Sequence, residues 1–169
     1  MHKISIRKEN PEDVNAIDAV IVSAFLHAPH TDHTEQFIVK ALRKARVLSI
    51  SLVAEVDRQV IGHVAVSPVT ISDGSADWYG LGPISVIPEF QRRGIGSLLM
   101  RSVIEELQIR GVSGCVVLGD PPYYGRFGFK QELNLILPGF PPEYFQVLLF
   151  GKHLPQGQVI YHEAFNTRR

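Results

Sequence analysis

The stretch that most restricts how this chain can fold runs from Leu81 to Gly111, where a β pattern gives way to a helical one across a tight corner. Ile84-Ser85-Val86-Ile87 is a short, mostly β-branched run that predicts a strand. Pro88 ends it, because proline has no N–H to give to a ladder. From Gly94 onward the period changes: Ile95, Leu98, Leu99, Val103 and Leu107 fall three or four apart, the spacing of one helical face. Gly111 stands where a left-handed residue commonly closes a helix. Between strand and helix lies Gln91-Arg92-Arg93-Gly94-Ile95-Gly96, two arginines and two glycines at a helix start.

The first turn of a helix leaves backbone N–H groups unpaired and carries the positive end of the dipole. Glycines there remove the Cβ atoms that would hold a phosphate away, and Arg92 and Arg93 add full charges at the same mouth. The chemistry suits a pyrophosphate. A dinucleotide fingerprint would need a third glycine where Leu99 stands, and the Gly-Lys-Ser/Thr ending of a P-loop occurs nowhere in the chain. The plain alternative is a strand-to-helix turn whose glycines only relieve backbone strain.

The longer pattern Val-x-Pro-x-x-Gln-x-x-Gly-Ile-Gly, Val86 to Gly96, followed by an apolar helix, resembles the acetyl-CoA-binding motif of the GNAT N-acetyltransferase superfamily. Downstream, Tyr124-x-Arg126-x-Gly128-Phe129 resembles the Tyr-x-Lys-x-Gly-Phe element of that family. The strings Ile50 to Glu55 and Gly119 to Phe129 look like a bacterial subgroup of predicted acetyltransferases, so the resemblance extends along essentially the whole chain. It implies a single-domain α+β fold, a mixed central sheet flanked by helices. It also implies acetyl transfer from acetyl-CoA, the co-substrate, to a primary amine by direct attack in a ternary complex. Ile84, Ser85 and Val86 would pair their backbone with pantetheine, and a backbone N–H near Val86 would face the oxyanion. Gln91, Arg92, Arg93, Gly94, Ile95, Gly96 and Ser97 would hold the pyrophosphate. Tyr124 would be the general acid at the CoA sulfur, since a phenol can donate as the carbon–sulfur bond breaks. The competing role for Tyr124 is aromatic packing, which applies plainly to Phe127 and Phe129. In one respect the chain departs from the pattern: Val117-Leu118-Gly119-Asp120 offers no asparagine where many relatives use one for pantetheine. The alternative function is a non-catalytic acyl-CoA sensor or interaction module of the same fold.

Composition narrows the field around this. A chain of 169 residues with 45% hydrophobic and 20% charged residues suits one soluble globular domain. Zero formal net charge argues against nucleic-acid and anionic-membrane partners. The acceptor is instead expected to be a small-molecule or peptide amine, and the protein a monomer or homodimer. Cys115 is the sole cysteine, which excludes an intrachain disulfide and suits a reducing compartment. No run reaches the length of a membrane span, and the start of the chain lacks a signal-peptide pattern. A cytoplasmic protein is expected.

In chain order, Lys3 to Arg7 alternates as a strand, and Asn10-Pro11-Glu12-Asp13 reads as a helix start with Asn10 as the capping side chain. A helix to Phe25 and a second from about Glu35 follow. Ser49 to Val56 and Val60 to Ile71 form a hairpin, with Gly62 and Pro68 suggesting a bulge in its second strand. Gly114 to Leu118 is a buried strand in which Cys115 is a core residue. A short helix of about two turns ends at Gly128, and strands are predicted over 129–137, 144–150 and 159–162.

An ammonium has no lone pair, so amine acetylation needs a proton acceptor, and Gly80 to Pro88 offers no carboxylate. The candidates are Glu35, which opens the second helix, and His63, on a strand near the sheet centre; Glu55 is a weaker third. His63 has the competing role of a hydrogen-bonded residue on a sheet face. His27, His30 and His33 recur regularly in a loop, but no cysteine or paired carboxylate accompanies them, so no metal is expected.

Overall fold

The structure is a computed structural model of the chain that describes residues 3–29 and 31–169. His30, the middle histidine of the loop triplet, lies outside the described residues. Among the described residues the elements run, in chain order, β1 (Ile4–Lys8), α1 (Val14–Phe25), α2 (Glu35–Lys44), β2 (Ile50–Val56), β3 (Gln59–Ile71), β4 (Trp78–Val86), α3 (Ile95–Ile109), β5 (Gly114–Leu118), α4 (Pro121–Gly125), β6 (Leu135–Ile136), β7 (Phe145–Leu149) and β8 (Gly157–Tyr161). The chain packs as two compact units. The first comprises Met1–Val66, Gly82–Ile104 and Glu163–Arg169; the second comprises Ser67–Leu81 and Glu105–His162.

In the first unit β1 runs antiparallel to β2, and β2 antiparallel to β3. Asp57 and Arg58 both have positive φ (49° and 66°), the geometry of a two-residue turn whose twist matches that of its strands. Ala54 pairs with Gly62 but Glu55 pairs with Val60, so Ile61 is an extra residue and β3 is bulged beside Gly62. The approach is close there: a Cβ on Gly62 would lie 3.1 Å from Leu99 of α3 and 3.2 Å from the Ser85 carbonyl oxygen, so glycine relieves a tight contact. On α1 and α2, Ile17, Ile21 and Val39 pack against Val53 and Ala65 of the hairpin. Successive strand residues face opposite ways, so the face carrying Gly62 meets α3 and the face carrying His63 meets α1 and α2. Asn10 stands, as expected, at the N-cap, here of a 3-10 turn over Pro11–Asp13 that leads into α1. Asn10 and Asp13 form a capping box in which the Asn10 backbone N–H donates to the Asp13 carboxylate at 2.6 Å.

Helix α3 has the expected extent, but its buried face is slightly rotated. Ile95, Leu99, Met100, Val103 and Leu107 are buried, whereas Leu98 is 39% exposed. The helix closes as predicted at Gly111 (φ 69°), with Gly111 N–H bonded to the Gln108 carbonyl and Val112 N–H to that of Leu107.

The second unit is built on a core of Val69, Trp78, Val116, Phe145, Val147 and Val159, among others. Here β4 is parallel to β5 over Trp78–Gly80, β5 is antiparallel to β7, and β8 is antiparallel to the end of β3. Trp78 lies flat where a Cβ on Gly114 would stand, so that glycine has no substitute. The strand predicted over 129–137 is only Leu135–Ile136, which pairs in parallel with β8, preceded by one bridge from Lys130 to Val147. A turn closed by the Leu135 N–H to the Glu132 carbonyl interrupts the run. Cys115 is fully buried, and burial pushes its thiol well above the usual range, so it is packing rather than a nucleophile. Among the described residues no helix is long and apolar enough to cross a membrane.

Candidate active site

At the end of β4 the chain makes a single turn of 3-10 helix over Pro88–Phe90, and the Gln91 side chain reaches back to donate to the Val86 carbonyl at 2.8 Å. Gln91 therefore acts as a brace on the corner. Arg92 (φ 64°) and Gly94 (φ 82°) both take left-handed backbone, which swings the chain into α3. A Cβ on Gly94 would meet nothing within 4 Å. The first intrahelical bond is Leu98 N–H to the Gly94 carbonyl, 3.1 Å. The N–H groups of Ile95, Gly96 and Ser97 thus precede the helical ladder and point out of its open end. Arg92 and Arg93 are exposed beside them, with the Arg93 guanidinium 5.2 Å from the centre of the Phe90 ring. This is a cationic cradle of backbone donors with room for an anion.

Ile84, Ser85 and Val86 form the last part of β4 in the first unit. Ser85 is buried, and Ile84 and Val86 are half-buried. Beyond Val86, the Ile87 N–H is held by the Ile61 carbonyl of β3 at 2.9 Å, which anchors this end of the strand.

Tyr124 belongs to the second unit, on the five-residue helix α4. Two prolines begin that helix, and its chain leaves through Gly128 (φ 97°). The Tyr124 ring lies against Gly119, where any Cβ would strike it. Tyr123 and Phe129 meet the ring edge-on at 5.0 and 6.1 Å. Burial, with Tyr123 and Asp120 adding to it, pushes the Tyr124 phenol up to about 12. The hydroxyl therefore keeps its proton and is a donor at any working pH.

Of the base candidates, Glu35 is half-buried at the start of α2 and accepts the Thr31 hydroxyl at 2.6 Å. Glu55 is occupied by Arg7 at 2.8 Å, and the same guanidinium also holds Asp13. His63 is completely buried. Its Nε2 lies 2.8 Å from Ser51 Oγ, which donates to Glu9 Oε1 at 2.5 Å, and Glu9 is clamped by Arg43 through two bonds of 2.9 Å. Glu9, Ser51 and Arg43 were not among the residues singled out from the sequence. No local signal marks them, since Glu9 and Ser51 are 42 positions apart and meet only when β1 pairs with β2. His27 and His33 are exposed, and among the described residues no three His, Cys, Asp or Glu side chains gather as a metal site.

Burial, reinforced by Arg43 and opposed by Glu9, lowers the His63 pKa to about 4. The unfolded chain takes up that proton near the ordinary value of 6.5, but the folded chain does not until about pH 4. Stability supplied by the neutral imidazole is therefore present above pH 6.5 and lost as pH falls towards 4. Between pH 7.5 and 5.0 this group alone should remove about 2 kcal/mol. Urea unfolding at the two pH values measures it, and equal stabilities would show that His63 titrates normally.

Comparison with known proteins places this geometry in context. Residues 48–131 match the family model described as an acetyltransferase (GNAT) domain. The uncharacterized N-acetyltransferase YhbS of Escherichia coli (strain K12) is 34% identical over 169 residues, covering 95% of this chain and 98% of that protein. Among solved structures, a GNAT family acetyltransferase from Brucella melitensis in complex with acetyl-CoA is 47% identical, with a TM-score of 0.87 over 98% of this chain and 99% of that one. YhbS from Escherichia coli in complex with CoA superposes with a TM-score of 0.90 at 33% identity, covering 99% of this chain and 94% of that one.

Proposed function

The chain belongs to the GNAT family of N-acetyltransferases, and from that premise we propose that it moves an acetyl group from acetyl-CoA to a primary amine within a ternary complex. The observation that carries this is the cradle at the start of α3: three N–H groups outside the helical ladder, two exposed arginines and an open Gly94. That set fits a pyrophosphate in charge, donor number and clearance. The relatives solved with acetyl-CoA and CoA support the same guest. The backbone from Ile84 to Val86 is the natural strand for pantetheine, with an N–H near Val86 facing the thioester oxygen as it gains charge. Relatives that align over 95% of this chain also support treating it as one acetyltransferase domain.

In this scheme the amine nitrogen attacks the thioester carbon, the carbon–sulfur bond breaks, and the Tyr124 hydroxyl donates to the departing sulfur. The amine loses its proton to Glu35 or His63. The acceptor is a small molecule or a peptide N-terminus.

Titration calorimetry with acetyl-CoA, followed by a thiol assay for CoA release across a panel of an amino-acid amide, a polyamine and a short peptide, tests the proposal. Binding and amine-dependent release are expected. Binding without release from any amine would favour a sensor of the same fold.

A further inference from the structure

In the second unit, one face of a three-stranded ribbon is apolar and open to solvent. Strand β8 runs antiparallel to the end of β3, with Thr70 opposite Ile160, and parallel to β6, with Ile136 opposite Gln158. Successive strand residues point to opposite faces, so Ile71, Val159 and Leu135 turn into the core. Thr70, Gln158, Ile160 and Ile136 share the other face, and all four are exposed. Ile160 and Ile136, each 54% exposed, are diagonal neighbours across the β6–β8 pair. Leu133 extends this surface. It lies in the turn closed by the Leu135 N–H on the Glu132 carbonyl, and the next residue, Asn134, accepts the Gly157 N–H at 2.9 Å. That bond fastens the turn to the start of β8. Leu133 is 81% exposed, in a turn position that polar residues usually fill. Phe140, 51% exposed, follows β6 just past the left-handed Gly139.

Area and charge together say what fits this face. Four such side chains, of about 150–200 Å² each, leave roughly 400 Å² of apolar surface in water, the size at which a patch marks an interaction site. A stable two-fold pair buries about 800 Å² from each copy, a little over half of it apolar, so the four supply most of that share. Residues 133–142 and 154–161 contain no Asp, Glu, Lys or Arg. Lys130 and Glu132, the nearest charges before Leu133, are paired with each other at 3.4 Å. An anionic membrane would call for a basic rim, and a charged partner for an excess of one sign; these segments supply neither. What borders the apolar residues is Asn134, Gln158 and Thr70, whose side chains each carry both a donor and an acceptor. Such groups complement themselves when a two-fold axis brings the same surface face to face. With zero formal net charge, two copies do not repel each other.

We infer that this face is a homodimer interface, in which Leu133, Ile136, Phe140 and Ile160 of one copy pack against the same residues of a second across a two-fold axis.

Sedimentation velocity of the wild-type chain at about 50 µM should show a species of twice the 18.9 kDa chain mass. Its melting temperature should fall on dilution, because a dimer gains stability by mass action. Ile160→Glu and Ile136→Glu each bring two carboxylates into the interface, one per copy, and should raise the dissociation constant by at least about 10²-fold. Both positions are exposed in the single chain, so its fold survives, and a melt on dilute protein checks this. Ile109→Glu is the control: Ile109 is 73% exposed but stands on α3, outside the patch, and its variant should remain dimeric. A wild type that sediments as a monomer overturns the inference, and its co-sedimentation with phosphatidylcholine vesicles would give the face to a lipid surface instead. A dimer that survives Ile136→Glu and Ile160→Glu combined in one chain overturns it equally.

Discussion

A Gly96→Val variant should keep its fold and lose acetyl-CoA affinity by roughly 10²–10⁴-fold, because the side chain closes the mouth of α3 over its free donors. Gly96 is the second residue of that helix and is only partly exposed. Valine is a better helix former than glycine, so the helix itself is not weakened. Its two branches would stand over the N–H groups of Ile95 to Ser97, which have no partner in the helical ladder. A hydrogen bond to a charged group is worth about 1.5–3 kcal/mol, so losing two gives the stated range. Gly94→Val is a poorer test, since φ is 82° there and strain would mix with steric exclusion. Calorimetry with acetyl-CoA, run beside a thermal melt, measures both halves. A well-folded variant with undiminished affinity would remove the pyrophosphate from this corner.

What the sequence made legible was local. The β-to-helix corner, its glycines and its arginines are neighbours along the chain, so spacing alone exposed them, and the closure at Gly111 is equally local. The bulge near Gly62 was legible for the same reason, glycine being the residue that admits the Leu99 and Ser85 contacts. Other features arise only in three dimensions. Residues 129–137 read as a strand from their composition, yet Lys130 and Leu135 find different partners, Val147 and Gly157, with a turn between them. Leu98 fits the apolar period of α3 but falls on its exposed flank, while Met100 takes the buried place. His63 could be named as a candidate, but not its partners, because Glu9 just after β1, Ser51 on β2 and Arg43 on α2 share no pattern. A side chain whose role depends on long-range pairing leaves no periodicity to read.

Tyr124→Phe should bind acetyl-CoA as the wild type does and turn over about 10²–10⁴-fold more slowly. The substitution isolates the hydroxyl. The phenylalanine ring keeps the contact with Gly119 and the edge-on meetings with Tyr123 and Phe129, so packing and the position of α4 are preserved. What disappears is one donor that, with its pKa pushed up to about 12, carries its proton across the whole working range. A group held in that state cannot serve as a base at neutral pH, which leaves donation to the leaving sulfur as its chemistry. Because the phenol is protonated below its pKa, Tyr124 should impose no alkaline fall in kcat between pH 7 and 10. An ordinary tyrosine would begin to lose activity near 10. The two measurements separate the roles cleanly. Turnover undiminished in Tyr124→Phe would make the residue a packing element of α4. Reduced turnover, with a wild-type profile that falls near pH 10, would keep the donor but show that the ring is less buried during catalysis.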